Sequence, residues 1–236
     1  MALLLVLALF VLFVLIEGLY VKYNGTVEPR PNTPRQAHTL GSGPELSYVV
    51  MGDSTAVAQG GVYAEGYATK TAEFLAKTNR VTWINVAVSG SRAKDVAGKQ
   101  LPQALVHKPD VVLIGVGAND VTHLTSIGSV RASLASTIDQ LRSQNPKVRI
   151  VLTGSPDMGS VPRFPQPVRW YAGKRTASLN SMVGKLADEK HVTFAQIAKE
   201  TGPYFRKHPE AFAADKFHPT TQGYQLWTPV IIKALQ

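Results

Sequence analysis

From Leu46 onward, short apolar and β-branched runs alternate with longer segments in which apolar positions recur every three or four residues. The runs are Leu46–Met51, Val81–Val88, Val111–Val116, Val148–Thr153 and His191–Ala195, and each predicts a strand. Between them the pattern predicts helices over Tyr63–Lys77, Val130–Ser143 and Arg169–Glu189. In the last of these, Trp170, Leu179, Met182, Val183, Leu186 and Ala187 form an amphipathic stripe. A closing helix is expected over Thr221–Leu235, with Pro229 kinking or restarting it. Strands and helices in repeated alternation predict an α/β fold: a five-stranded parallel sheet between two helical layers, a three-layer α/β/α sandwich. The strand order 2-1-3-4-5, flavodoxin-like, is the common one for this pattern.

The first residues follow another pattern. Ala2 to Ile16 are apolar without a break, Glu17 and Gly18 interrupt, and Leu19-Tyr20-Val21 continue to Lys22. A span of about 20 residues matches a bilayer core. Residues 1–22 are therefore expected to form one N-terminal transmembrane helix, a signal-anchor that ties the protein to a membrane. A cleaved signal peptide is the alternative, although Ile16 to Val21 offer no Ala-x-Ala site. Residues 23–44, with Pro31, Pro34 and Pro44 and no apolar period, read as a linker, leaving 45–236 as a single folded domain. Lys22, Arg30 and Arg35 follow the apolar run, and by themselves they lean toward a cytoplasmic domain.

Composition narrows the chemistry. The 236 residues include no cysteine, which excludes disulfides, thiolate metal sites and a cysteine nucleophile. The net charge of +9 comes from basic residues scattered along the chain, with no run of five or more, so a nucleic-acid partner is not expected. A basic surface beside anionic lipid accounts for the charge more simply.

In an open α/β sheet, ligands bind outside the carboxyl ends of the strands, and four short motifs lie there. Gly52-Asp53-Ser54 follows the first strand and Ser89-Gly90 the second. Gly117-Ala118-Asn119-Asp120 follows the third, and Asp215-Lys216-Phe217-His218-Pro219 lies near the C-terminus. A serine hydroxyl becomes a nucleophile when a base takes its proton, and an imidazole suits that role when an acceptor holds its other nitrogen. Asp215, three residues before His218, can orient it while His218 reaches Ser54. Acyl transfer also needs donors for an oxyanion, and the N–H groups of Ser54 and Gly90 and the side-chain amide of Asn119 are candidates. Each motif has a plainer reading beside this one. Gly-Asp-Ser alone marks a turn, Ser89-Gly90-Ser91 a loop, and Asn119 a helix cap, although Asp120 is the better cap. Asp53 is expected to hold the turn.

Taken together and in this order, the four motifs resemble those of the SGNH (GDSL-type) hydrolases. Ser54 matches the block I serine, Gly90 the block II glycine, Asn119 the block III asparagine and His218 the block V histidine. The resemblance covers Leu46 to the C-terminus. It implies a serine esterase or lipase-like acylhydrolase working through an acyl-serine, with catalytic Ser54, His218 and Asp215, an oxyanion hole of Ser54, Gly90 and Asn119, and neither metal nor cofactor. The implied partner is an ester substrate, such as an acyl lipid or an acetylated glycan. Bacterial members are often secreted or membrane-anchored, which favours an extracytoplasmic domain. An acyltransferase with a sugar or lipid acceptor shares the same residues, and a non-catalytic tethered binding module would be marked by a missing one. Thr55-Ala56 departs from the Ile-Thr variant of the acetylesterases acting on rhamnogalacturonan and peptidoglycan. Asp157, at the fourth strand end, reads as a substrate contact or as a loop-stabilising residue. The proline-rich segment Ser155–Trp170 reads as an apolar lid or as a loop packed on the sheet rim. His123 reads as a solvated helix residue.

Overall fold

The computed structural model describes residues 4–5, 10–13, 15–16, 18–19, 26–31, 33–34 and 36–236. Six strands form one sheet: β1 His38–Leu40, β2 Glu45–Gly52, β3 Arg80–Asn85, β4 Val111–Gly115, β5 Arg149–Leu152 and β6 Thr193–Phe194. Their spatial order is β1-β3-β2-β4-β5-β6. Strands β2 to β6 pair in parallel, while β1 runs antiparallel to β3, with Leu40 opposite Val81. The sheet is therefore mixed and six-stranded, not the all-parallel five-stranded sheet expected. The extra strand comes from the stretch read as a linker. Three residues are too few to show a period, and β1 is an edge strand held only by β3.

The main helices are α1 Tyr67–Leu75, α2 Leu101–Val106, α3 Ala118–Thr122, α4 Ile127–Gln144, α5 Val168–Glu189, α6 Ile197–Lys207 and α7 Thr221–Leu235. Parallel connections are right-handed, so the direction of each step across the sheet decides which face its helix covers. The step from β2 to β3 carries α1, whereas the steps through β4, β5 and β6 run the other way and carry α2, α4 and α5. The packing agrees: α1 and α6 lie against α7, while α4 lies against α2 and α5. Between the layers, Val49, Val50, Val111, Val112 and Leu113 are fully buried. Helix α7 runs as one element through Pro229. Helix α6 was not legible, because Gly202 and Pro203 fall inside it.

The membrane-spanning helix expected over residues 1–22 is corrected. Among the described residues, no helix is long and apolar enough to cross a membrane. Much of residues 1–22 lies outside the described residues. An apolar run supplies the composition of a span, but a span also needs about 20 residues in one continuous helix. The longest described helix, α5, carries Arg169, Lys174, Arg175 and Lys185 and packs on the domain instead.

Candidate active site

The site is built where β2 and β4 end side by side. Gly52 pairs with Gly115 in register, at φ +155°. A Cβ on Gly52 would lie 2.2 Å from the Gly115 carbonyl oxygen, so only glycine permits this approach. The chain then turns sharply: Asp53 N–H donates to Gly115 C=O at 3.0 Å, and Gln59 N–H donates to Ser54 C=O at 3.0 Å. Asp53 is buried and its Oδ1 accepts from both the N–H and the Oγ–H of Thr55, at 2.9 and 2.8 Å. Burial pushes the Asp53 carboxyl up to about 6, against the opposing pull of those Thr55 bonds and the nearby His218. It holds the turn, as expected.

Ser54, His218 and Asp215 come together from opposite ends of the domain. Ser54 Oγ lies 2.9 Å from His218 Nε2, across 164 positions of sequence. His218 Nδ1 lies 2.6 Å from Asp215 Oδ2. Asp215 is fixed by its own loop, since its Oδ1 accepts from the N–H groups of Phe217 and His218, both at 2.9 Å. Burial alone would push the Asp215 carboxyl up. The hydrogen bonds from His218 and Phe217 outweigh that and hold it down, at about 2. Asp215 is therefore a carboxylate at neutral pH and only accepts, so the Nδ1 proton points at it. A neutral ring then presents a lone pair at Nε2 to the Ser54 hydroxyl. All three residues are buried.

The second and third strand ends meet beside this turn. Gly90 sits at φ +85° with open space around its α-carbon, so glycine is needed there for conformation and not for room. Asn119 Nδ2 donates to the Ser91 carbonyl at 3.1 Å, and that nitrogen has a second hydrogen. Asp120 does not cap α3; Gly117 holds that position. Asp120 Oδ2 instead accepts from Ala93 N–H at 2.9 Å, and burial raises its carboxyl against that bond. Asn119 and Asp120 thus clamp the loop that carries Gly90.

Gln100 is a residue that sequence reasoning missed. It lies fully buried in a short π-helical turn, Val96–Gln100. Its Oε1 accepts from Gly52 N–H at 2.8 Å, and its Nε2 donates to Gly52 C=O at 2.8 Å and to Ser91 Oγ at 3.0 Å. One amide therefore joins the serine turn to the glycine loop. The only signal in sequence is an amide among helix-forming residues, which marks nothing by itself, although π-turns cluster at functional sites.

Other candidates settle elsewhere. Asp157 takes the loop-stabilising role: it accepts from Gly159 N–H at 3.0 Å and pairs with Arg206 Nε at 2.7 Å. The segment Ser155–Trp170 packs on the rim, with Phe164 edge-on to Phe217 at 5.9 Å between ring centres and Arg163 N–H bonded to Lys216 C=O. His123 is exposed and its Nδ1 contacts Asn119 C=O at 2.8 Å. Among the described residues no cluster of three or more His, Asp or Glu is placed to hold a metal ion.

The fold and the motifs that build this site match a known family. Residues 50–226 match the GDSL-like lipase/acylhydrolase family. The chain belongs to that family. A GDSL-like esterase of Mycobacterium tuberculosis is 31% identical to it, across 93% of this chain and 68% of that protein. Solved structures superpose on most of it. An acetylxylan esterase of Geobacillus stearothermophilus, crystallised as a catalytic mutant, gives a TM-score of 0.63 at 20% identity, covering 83% of this chain and 95% of its own. An extracellular lipase of Streptomyces rimosus gives 0.61 at 20% identity, covering 80% and 99%. Membership in the GDSL-like family makes the protein a hydrolase of ester bonds.

Proposed function

We propose that this GDSL-like hydrolase is a serine esterase that cleaves carboxylic esters through an acyl-serine intermediate. The observation that carries the reading is the hydrogen-bond chain from Asp215 through His218 to Ser54, with links of 2.6 and 2.9 Å. In the first half-reaction Ser54 Oγ attacks the ester carbonyl carbon while His218 Nε2 takes the hydroxyl proton. The tetrahedral oxyanion is met by the N–H groups of Ser54 and Gly90 and by the second amide hydrogen of Asn119. As the bond to the alcohol oxygen breaks, His218 returns the proton to that oxygen and the alcohol departs. Water then attacks the acyl-serine, His218 takes and returns a proton again, and the carboxylic acid leaves. Asp215 keeps the Nδ1 proton toward itself and stabilises the imidazolium that forms in each half.

The test uses the full chain and p-nitrophenyl esters from acetyl to palmitoyl, with Ser54→Ala beside the wild type. Turnover should vanish in the variant while its circular dichroism stays native. A fluorophosphonate probe should label the wild type and not the variant. Undiminished hydrolysis by Ser54→Ala would refute the acyl-serine reading.

A further inference from the structure

The stretch read as a linker does more than lead into the domain. Thr26 and Glu28 lie against the loop that carries Asp215 and His218. Glu28 makes three contacts, one with each of its polar parts. Its carboxylate Oε1 accepts from Ala214 N–H at 3.1 Å. Its backbone N–H donates to Asp215 Oδ2 at 3.4 Å, the same oxygen that faces His218 Nδ1. Its carbonyl accepts from Gln59 Nε2 at 2.6 Å.

Gln59 is buried, and its backbone bonds to both Ser54 C=O and the Tyr224 hydroxyl. The contacts therefore close a ring: from Ser54 to Gln59, to Glu28, to Asp215, to His218 and back to Ser54. A second anchor lies two residues before. Thr26 C=O accepts from Arg163 Nη1 at 2.7 Å, and Thr26 Oγ1 lies 3.4 Å from Ala214 C=O. The loop these contacts hold contains Lys216 at φ +54°, a conformation that a lysine rarely takes. A strained loop keeps one geometry only when its surroundings over-determine it.

We infer that Glu28 is a positioning residue for the acid–histidine loop, and that residues 26–28 form a strap joining this loop to the serine turn. The inference rests on the acyl-serine reading above, since it assigns Glu28 a part in aligning Asp215 and His218. Glu28 lies outside residues 50–226, the part that matches the GDSL-like family model. A wandering Asp215 loop leaves ground-state binding of the ester intact and misaligns His218 when the proton must move. The expected loss is thus in kcat, with KM unchanged.

The experiment compares full-length Glu28→Ala, Glu28→Gln and Val27→Ala, with Ser54→Ala as the reference for the reading it rests on. Val27 is 70% exposed and should behave as wild type. Glu28→Ala should lower kcat about fivefold to tenfold, as expected when one supporting hydrogen bond is lost. Glu28→Gln keeps an acceptor oxygen toward Ala214 N–H and should recover most of that loss. The downfield proton resonance of the His218 Nδ1–H bond to Asp215 should shift or broaden in Glu28→Ala and return in Glu28→Gln. Wild-type kcat in Glu28→Ala, a change confined to KM, or an equal loss in Glu28→Gln would each overturn the inference. If Ser54→Ala is inactive at the same time, the acyl-serine reading survives that failure.

Discussion

Replacing Gln100 with leucine removes a buried amide and puts a side chain of similar size in its place. Three hydrogen bonds of 2.8, 2.8 and 3.0 Å are lost. The groups left behind do not fare equally. Gly52 C=O still accepts from Val88 N–H at 3.1 Å, and the Ser91 hydroxyl can turn to another partner. Gly52 N–H has no replacement within the sheet, because the strand ends there. A buried orphan donor costs about 1–3 kcal/mol, and the two lost acceptor contacts add about 1 kcal/mol. Gln100→Leu should therefore destabilise the domain by about 2–4 kcal/mol, a large share of the roughly 5–15 kcal/mol that holds a protein folded. Urea unfolding should show the midpoint falling by about 1 M with unchanged slope. Because Gly52 is two residues before Ser54 and Ser91 follows Gly90, kcat on p-nitrophenyl acetate should also fall under conditions where the variant is fully folded. A loss of under 1 kcal/mol together with wild-type kcat would show that the serine turn and the glycine loop are held without this bridge.

Two further outcomes follow from the site. Asp53 titrates near 6 in the folded protein and near 3.8 when unfolded. As pH rises between these values the unfolded chain gives up its proton first, so Asp53 favours folding less and less. By pH 7 the penalty reaches roughly 3 kcal/mol. Asp53→Asn lacks that titration, and its stability relative to wild type should rise by about 2 kcal/mol between pH 4 and pH 7; parallel curves in urea melts at the two values would refute the assignment. On the proposed mechanism, Asn119→Ala removes one oxyanion donor as well as one clamp on the Gly90 loop, and should lower kcat by about 100- to 1000-fold. Steady-state kinetics reads this directly, and a loss under tenfold would remove Asn119 from the oxyanion hole.

Several features of the domain were legible in the chain alone, and they share a local cause. Each central strand is a near-continuous apolar run, because both of its faces lie under helices. Helix α5 announces itself through a stripe of contacts repeated over 22 residues. Gly52-Asp53-Ser54 and Asp215-x-x-His218 are legible because each is a short motif of residues adjacent in the chain. What was illegible depended on distance or brevity. Strand β1 has three residues and exists only because β3 lies open beside it. Asp120 looked like a cap, since capping is the local use of an aspartate near a helix start, and only the approach of Ala93 N–H assigns it elsewhere.

The membrane helix expected at the start marks the reverse limit. Apolar composition is a property of the residues, whereas a span is a property of a continuous helix, and the described residues hold none. Gln100 and Glu28 mark the same boundary inside the domain. Neither belongs to a residue type that signals chemistry at its position, and each acts through backbone atoms brought to it from far along the chain. The sequence by itself determined the alternation of elements, the residues able to do chemistry and the sheet edge where they gather. The tertiary structure alone decided that Ser54 and His218, 164 positions apart, stand 2.9 Å from each other, and which buried amides and carboxylates hold them there. The physical reason is that local pattern depends on neighbours in the chain, while hydrogen-bond partners depend on which backbones the fold leaves facing one another.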